Sequence, residues 1–178
     1  MTGARITVVG VGNPLKKDEG VGIRVVEELH AWWDLPQDVK LIDAGTMGPA
    51  MLPLFDECDL AIVVDAVDGT GMDPGTVVVM TPAQIAPSAV LHSLHDMRLV
   101  DVLAMAELTG RTVEAVVVGV QIEDMGGEAS LELTAAVAEA VPRAARAVLD
   151  LLAGQGVVAV GRQSARPHDD SGRAIAAP

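Results

Sequence analysis

Four side chains in this sequence have the types and positions for metal or acid–base chemistry: Glu19, Asp43, Asp65 and His95. Each of the three acids stands at, or just after, the C-terminal end of an apolar run. Two carboxylates and an imidazole make a three-ligand set with room for a fourth group, compatible with zinc, nickel or ferrous iron. They are dispersed along the chain, unlike a compact H-E-x-x-H, so only the fold can assemble them. Plainer roles compete for each position. Asp43 also suits a turn or cap, His95 suits a cap at a helix start, and His92 lies three residues earlier. Two carboxylates sharing one proton are a further possibility.

The segment that must position Glu19 is GVGNPLKKDEGVG at residues 10–22. Ile6, Val8 and Val9 ahead of it form a β-branched run with too little polar alternation for a strand facing water, which predicts a central parallel strand covered on both faces. Gly10 and Gly12 allow a sharp turn at its end, with Pro14 fixing another φ. Asp18 and Glu19 then open a helix whose apolar face carries Val21, Val25, Val26 and Leu29. In the plain reading Asp18 caps that helix and Glu19 favours its dipole. A dinucleotide-binding turn would need a third glycine where Leu15 stands, and would place a pyrophosphate against two acids. A carboxylate at the end of a central strand suits a cation better.

The remaining elements follow in order. VKLID (39–43) is the second strand, and residues 47–55 make a short helix interrupted by prolines. DLAIVVD (59–65) is the third strand, closed by Asp65. GTVVVM (75–80) follows after only nine residues, too few for a parallel crossover, so it should run antiparallel and the sheet should be mixed. Residues 81–96 read as a loop holding His92 and His95, and Leu99, Val102, Leu103 and Ala106 define a helix face. TVEAVVVGV (112–120) is the fifth strand, residues 121–130 an acidic glycine-containing loop, and Leu133 to Leu152 a long helix that Pro142 should kink. If the first and third strands are neighbours, with their following segments on opposite faces, Glu19 and Asp65 border the crevice where open α/β sheets bind ligands.

The chain has 178 residues, half of them apolar but only 2% aromatic, which favours an α/β core of β-branched strands and alanine-rich helices in one domain. Residues 1–160 are expected to form that domain, and the polar stretch 161–178 a disordered tail. A formal charge of −13 argues against nucleic acid and anionic membrane as partners. The absence of a signal-like start or a membrane-length apolar run points to the cytoplasm, and a single cysteine excludes a disulfide framework. That cysteine, Cys58, opens the third strand roughly 23 Å from its Asp65 end, which suits a packed thiol better than a nucleophile. No serine occupies a G-x-S-x-G elbow, and DAGT at Asp43 only superficially resembles an aspartic protease motif.

The ordered set GVGNPLKKDEGVG, DAGT from Asp43, VVDAV around Asp65, His95 followed by DVL at 101–103, and VVGV at 117–120 resembles the hydrogenase maturation endopeptidases over residues 5 to about 152. The resemblance implies a three-layer α/β/α sandwich with a five-stranded mixed sheet, mostly parallel with one antiparallel strand. It implies an endopeptidase that removes the C-terminal extension of a nickel-iron hydrogenase large-subunit precursor, the nickel being the precursor's rather than a permanent cofactor. Glu19, Asp65 and His95 match the family's metal-binding positions, and Asp43 matches a further acid near the cleft, which the resemblance implies as catalytic with Glu19 and Asp65. The spacing to DVL favours His95 over His92. The alternatives are a chaperone that binds the nickel-loaded precursor without cutting it, or a zinc-type hydrolase of a small substrate.

Overall fold

The computed structural model describes residues 4–56, 58–85, 99–108, 110, 113–124 and 129–162. In chain order the elements are β1 (Ile6–Val11), a 3-10 turn (Lys17–Gly20), α1 (Val21–Trp32), β2 (Trp33–Asp34) and β3 (Val39–Gly45). A 3-10 segment (Gly48–Phe55), β4 (Leu60–Val67), β5 (Val77–Met80) and α2 (Pro82–Ile85) come next. The chain then forms α3 (Leu99–Leu108), β6 (Glu114–Gln121), α4 (Ala135–Gly154) and β7 (Val160–Gly161).

The main sheet has the order β3-β1-β4-β6-β5. β3, β1, β4 and β6 are parallel, and β5 runs antiparallel to β6, as the short connection demands. β1 and β4 are buried along their whole lengths, which is why their sequences show no polar alternation. Alternate residues feed two cores. Val8, Ile62, Val64 and Val118 pack with Val25 and Leu29 of α1 and Val148 and Leu152 of α4. Val9, Val63 and Val117 pack with Phe55 of the 3-10 segment and Val102 of α3. The result is a three-layer α/β/α sandwich.

Several boundaries differ from expectation, each for a local reason. β4 does not close at Asp65. Pairing with β6 continues through Asp65↔Gly119, Ala66↔Val120 and Val67↔Gln121, so Asp65 lies inside a strand flanked by partners. α1 ends at Trp32 and passes directly into β2, whose antiparallel partner β7 brings Gly161 opposite Trp33. Arg162 locks this clip. Its Nε donates to Asp34, its Nη1 to the His30 carbonyl and its backbone N–H to the Trp32 carbonyl. Of the tail expected over residues 161–178, Gly161 and Arg162 belong to this clip, and residues 163–178 lie outside the described residues.

Candidate active site

The winding of the sheet reverses between β1 and β4: from β1 the chain moves outward to β3, then returns to the other side of β1 to lay down β4. The crevice of an open α/β fold opens at the C-terminal ends of such a strand pair. Here the start of α1 is pressed onto that seam. A Cβ on Gly22 would lie 2.3 Å from the carbonyl oxygens of both Val11 and Val64, closer than any real side chain tolerates. Gly12 adopts φ +134°, and a Cβ there would sit 1.8 Å from the Glu19 carbonyl oxygen. The glycines of residues 10–22 therefore bring backbone onto backbone, leaving no cradle for a pyrophosphate.

This close seating buries Glu19 in the 3-10 turn and sets it beside Asp65 of β4. Asp65 is also buried, and its carboxyl is pushed up to about 7. Burial is the main cause, and the charge of Glu19 adds to it. The Ala66 N–H, which donates to Oδ1 at 2.8 Å, acts in the opposite direction. Two buried carboxylates of like charge with this geometry favour a proton or a cation between them.

Asp43 occupies the same edge of the sheet, one strand farther out, with its Cα in register with Gly10. It is exposed, and its Oδ1 accepts the Gly45 N–H at 2.9 Å, so it shapes the turn after β3 while remaining open to solvent. His95 and its neighbour His92 lie outside the described residues. Among the described residues no group of three His, Cys, Asp or Glu side chains converges to hold a metal ion. Cys58 is a buried free thiol in the second core, at the opposite end of β4 from this edge.

Two residues escaped the sequence reading. Asp18 is fully buried and caps neither the 3-10 turn nor α1. Its carboxylate instead accepts hydrogen bonds from Glu123, Asp124 and Thr134, all more than a hundred residues along the chain. Gln121, buried at the end of β6, accepts from the Thr70 N–H and hydroxyl and donates to Asp68 and the Ile122 carbonyl, tying down the loop after β4. The available signal was a polar residue ending an apolar strand. The partners could not be read without the fold.

Residues 23–151 match the family of hydrogenase maturation proteases. The chain belongs to that family. Among relatives of this protease, the hydrogenase expression/formation protein HoxM of Azotobacter vinelandii is 38% identical over 168 residues, spanning 91% of this chain and 79% of its own length. The hydrogenase 2 maturation protease of Escherichia coli strain K12 is 33% identical over 163 residues, covering 90% of this chain and 98% of its own. The solved structure of the E. coli hydrogenase maturating endopeptidase HybD superposes with a TM-score of 0.79 at 34% identity, over 90% of this chain and 99% of that one. Like its family, the hydrogenase maturation protease described above is a hydrolase of the endopeptidase class. No helix among its described residues is long and apolar enough to cross a membrane.

Proposed function

We propose that this protease removes the C-terminal extension of a nickel-iron hydrogenase large-subunit precursor after nickel has been inserted, and that Glu19, Asp65 and His95 grip the precursor's nickel. The observation that carries the proposal is the pairing of two buried carboxylates at the switch point of the sheet, one of them with its proton held up to about 7. A retained proton relieves the repulsion of such a pair, and a divalent cation brought by the substrate can take that proton's place. Nickel is thus part of the substrate, and the grip acts by holding the scissile bond in place.

Hydrolysis then requires water to add to the scissile carbonyl carbon while a base takes its proton and returns it to the leaving amine. The nickel can polarise that carbonyl, or a carboxylate can serve as the base. Asp43 suits the second role, since it is solvent-exposed and on the same edge. The large-subunit precursor is accordingly the protein partner, and the acidic surface disfavours nucleic acid and anionic membrane.

The test is the intact mass of the cognate precursor, nickel-loaded or empty, before and after mixing with this protein. The expected result is loss of a C-terminal peptide from the loaded form alone. Stable binding of the loaded precursor without any mass change would overturn the protease reading in favour of a chaperone.

A further inference from the structure

The 3-10 turn that carries Glu19 has no side-chain cap, its backbone is closed locally by the Glu19 N–H donating to the Lys16 carbonyl at 3.1 Å, and Lys17 within it takes the rarely used φ of +43°. A second set of bonds reaches this turn from more than a hundred residues along the chain. The carboxylate of Asp18, with no exposed surface, accepts the Thr134 N–H on Oδ1 at 2.7 Å. Its Oδ2 accepts the N–H groups of Glu123 and Asp124 at 3.1 and 3.0 Å and the Thr134 hydroxyl at 3.0 Å. Thr134 is the residue immediately before α4, so Asp18 anchors the start of a helix that is not its own. Around this clasp, Ser130 donates to the Leu15 carbonyl at 2.9 Å, Lys17 donates its N–H to the Ser130 carbonyl at 3.0 Å, and the Lys17 ammonium pairs with Asp124.

We infer that Asp18 is a positioning residue for Glu19: by clamping the 3-10 turn to the segment after β6 and to the start of α4, it fixes where the Glu19 carboxylate meets the substrate's nickel. The inference rests on the proposed nickel grip. It assigns to Asp18 no contact with substrate. Asp18, whose carboxylate is saturated by donors, and Glu19, whose charge reaches Asp65, are consecutive residues, and the backbone between them is too short to let one move without the other. Hydrogen bonds to a charged acceptor are stronger and more directional than neutral ones, so the clasp adds stiffness to the turn beyond its own backbone bonds.

The experiment measures how strongly the full-length protein prefers nickel-loaded over empty precursor, as a ratio of dissociation constants, for the wild type, Asp18→Asn, Glu19→Gln and the double variant. Global loosening affects both precursors alike and leaves this ratio unmoved. Asp18→Asn keeps the shape but puts an amide against N–H donors. It is expected to cut the preference about tenfold, the order of one lost charge-assisted hydrogen bond. In the Glu19→Gln background the same change is expected to cost nothing further, because its effect passes through Glu19. Thr134→Val removes a single bond of the clasp and is expected to give a smaller loss, about two- to threefold, which serves as the measurement if Asp18→Asn does not fold. An unchanged ratio in folded Asp18→Asn, or in Thr134→Val should Asp18→Asn not fold, would overturn the inference, as would equal losses from Asp18→Asn with and without Glu19. If the wild type itself shows no preference for nickel, it is the gripping reading that has failed.

Discussion

Toward its two ends β4 meets the same residue type in opposite electrostatic states: Asp59 just before the strand and Asp65 inside its C-terminal half. Asp59, immediately before the strand, is half exposed and accepts the Arg5 backbone N–H at 2.8 Å, its Nε at 3.3 Å and its Nη2 at 3.1 Å. Those hydrogen bonds hold its carboxyl below the ordinary value. Asp65, six positions along, is buried beside another acid and is raised to about 7. At the first end charge is neutralised in water, where it contributes little; at the second it is concentrated where water is excluded. The difference shows which edge of the sheet is kept under electrostatic stress, and stress of this kind marks functional sites.

The comparison breaks first at Asp65 and Glu19. Asp65→Asn or Glu19→Gln should reduce processing of nickel-loaded precursor by about a hundredfold or more, since even residues that only support a metal ligand are worth tenfold to a hundredfold. Processing at near wild-type rates by either variant, followed by intact mass, would dissolve the distinction between the two ends.

The same substitution should act on stability in the other direction. Between 3.8 and about 7 the folded chain keeps a proton on Asp65 that the unfolded chain has released. Unfolding free energy therefore falls as pH rises through that window, and the cost is fully present above it. A difference of this size corresponds to on the order of 4 kcal/mol, as an upper bound for a relaxed site. Denaturant melts at pH 5 and pH 8 should show the wild type losing stability across the interval and Asp65→Asn losing less, with the variant more stable than the wild type at pH 8. Glu19→Gln removes the lesser cause, so the Asp65 carboxyl, followed by NMR, should titrate below its wild-type value.

Gly22→Ala tests the packing that creates the stress. With a methyl forced against the carbonyls of Val11 and Val64, α1 must lift from the seam, at a cost of about 3 kcal/mol or more. A melting temperature within a degree or two of wild type would show that the helix start is not pressed onto the strands. Asp59→Asn is the smallest change expected: unaltered processing and a melting curve close to wild type, because an exposed pair is screened.

Much of this was readable from the chain. The apolar runs at Ile6–Val9 and Leu60–Val64 announce buried parallel strands, the nine residues before Gly75 force an antiparallel partner, and the neighbouring of the first and third strands sets Glu19 beside Asp65. The extension of β4 to Val67 was not readable, because the last two pairs depend on β6 presenting Val120 and Gln121 alongside it. Nor was the role of Asp18. Locally Asp18 is an acid in the first turn of a helix, the usual signature of a cap, and only the tertiary arrangement supplies stronger donors. Local patterns report what a residue can do with its neighbours; they are silent where the partner is chosen by the fold.

The reach of the Asp18 clasp also sets an order of assembly. A nascent chain that has emerged as far as Gln121 contains all five strands of the main sheet and the whole Glu19 turn, yet none of the groups that hold Asp18. The stretch synthesised first is thus completed last, when Thr134 and α4 leave the ribosome. Until then the growing polypeptide holds the strands of its sheet but none of the donors that clasp Asp18, so the last bonds of its first turn wait on its own C-terminal third.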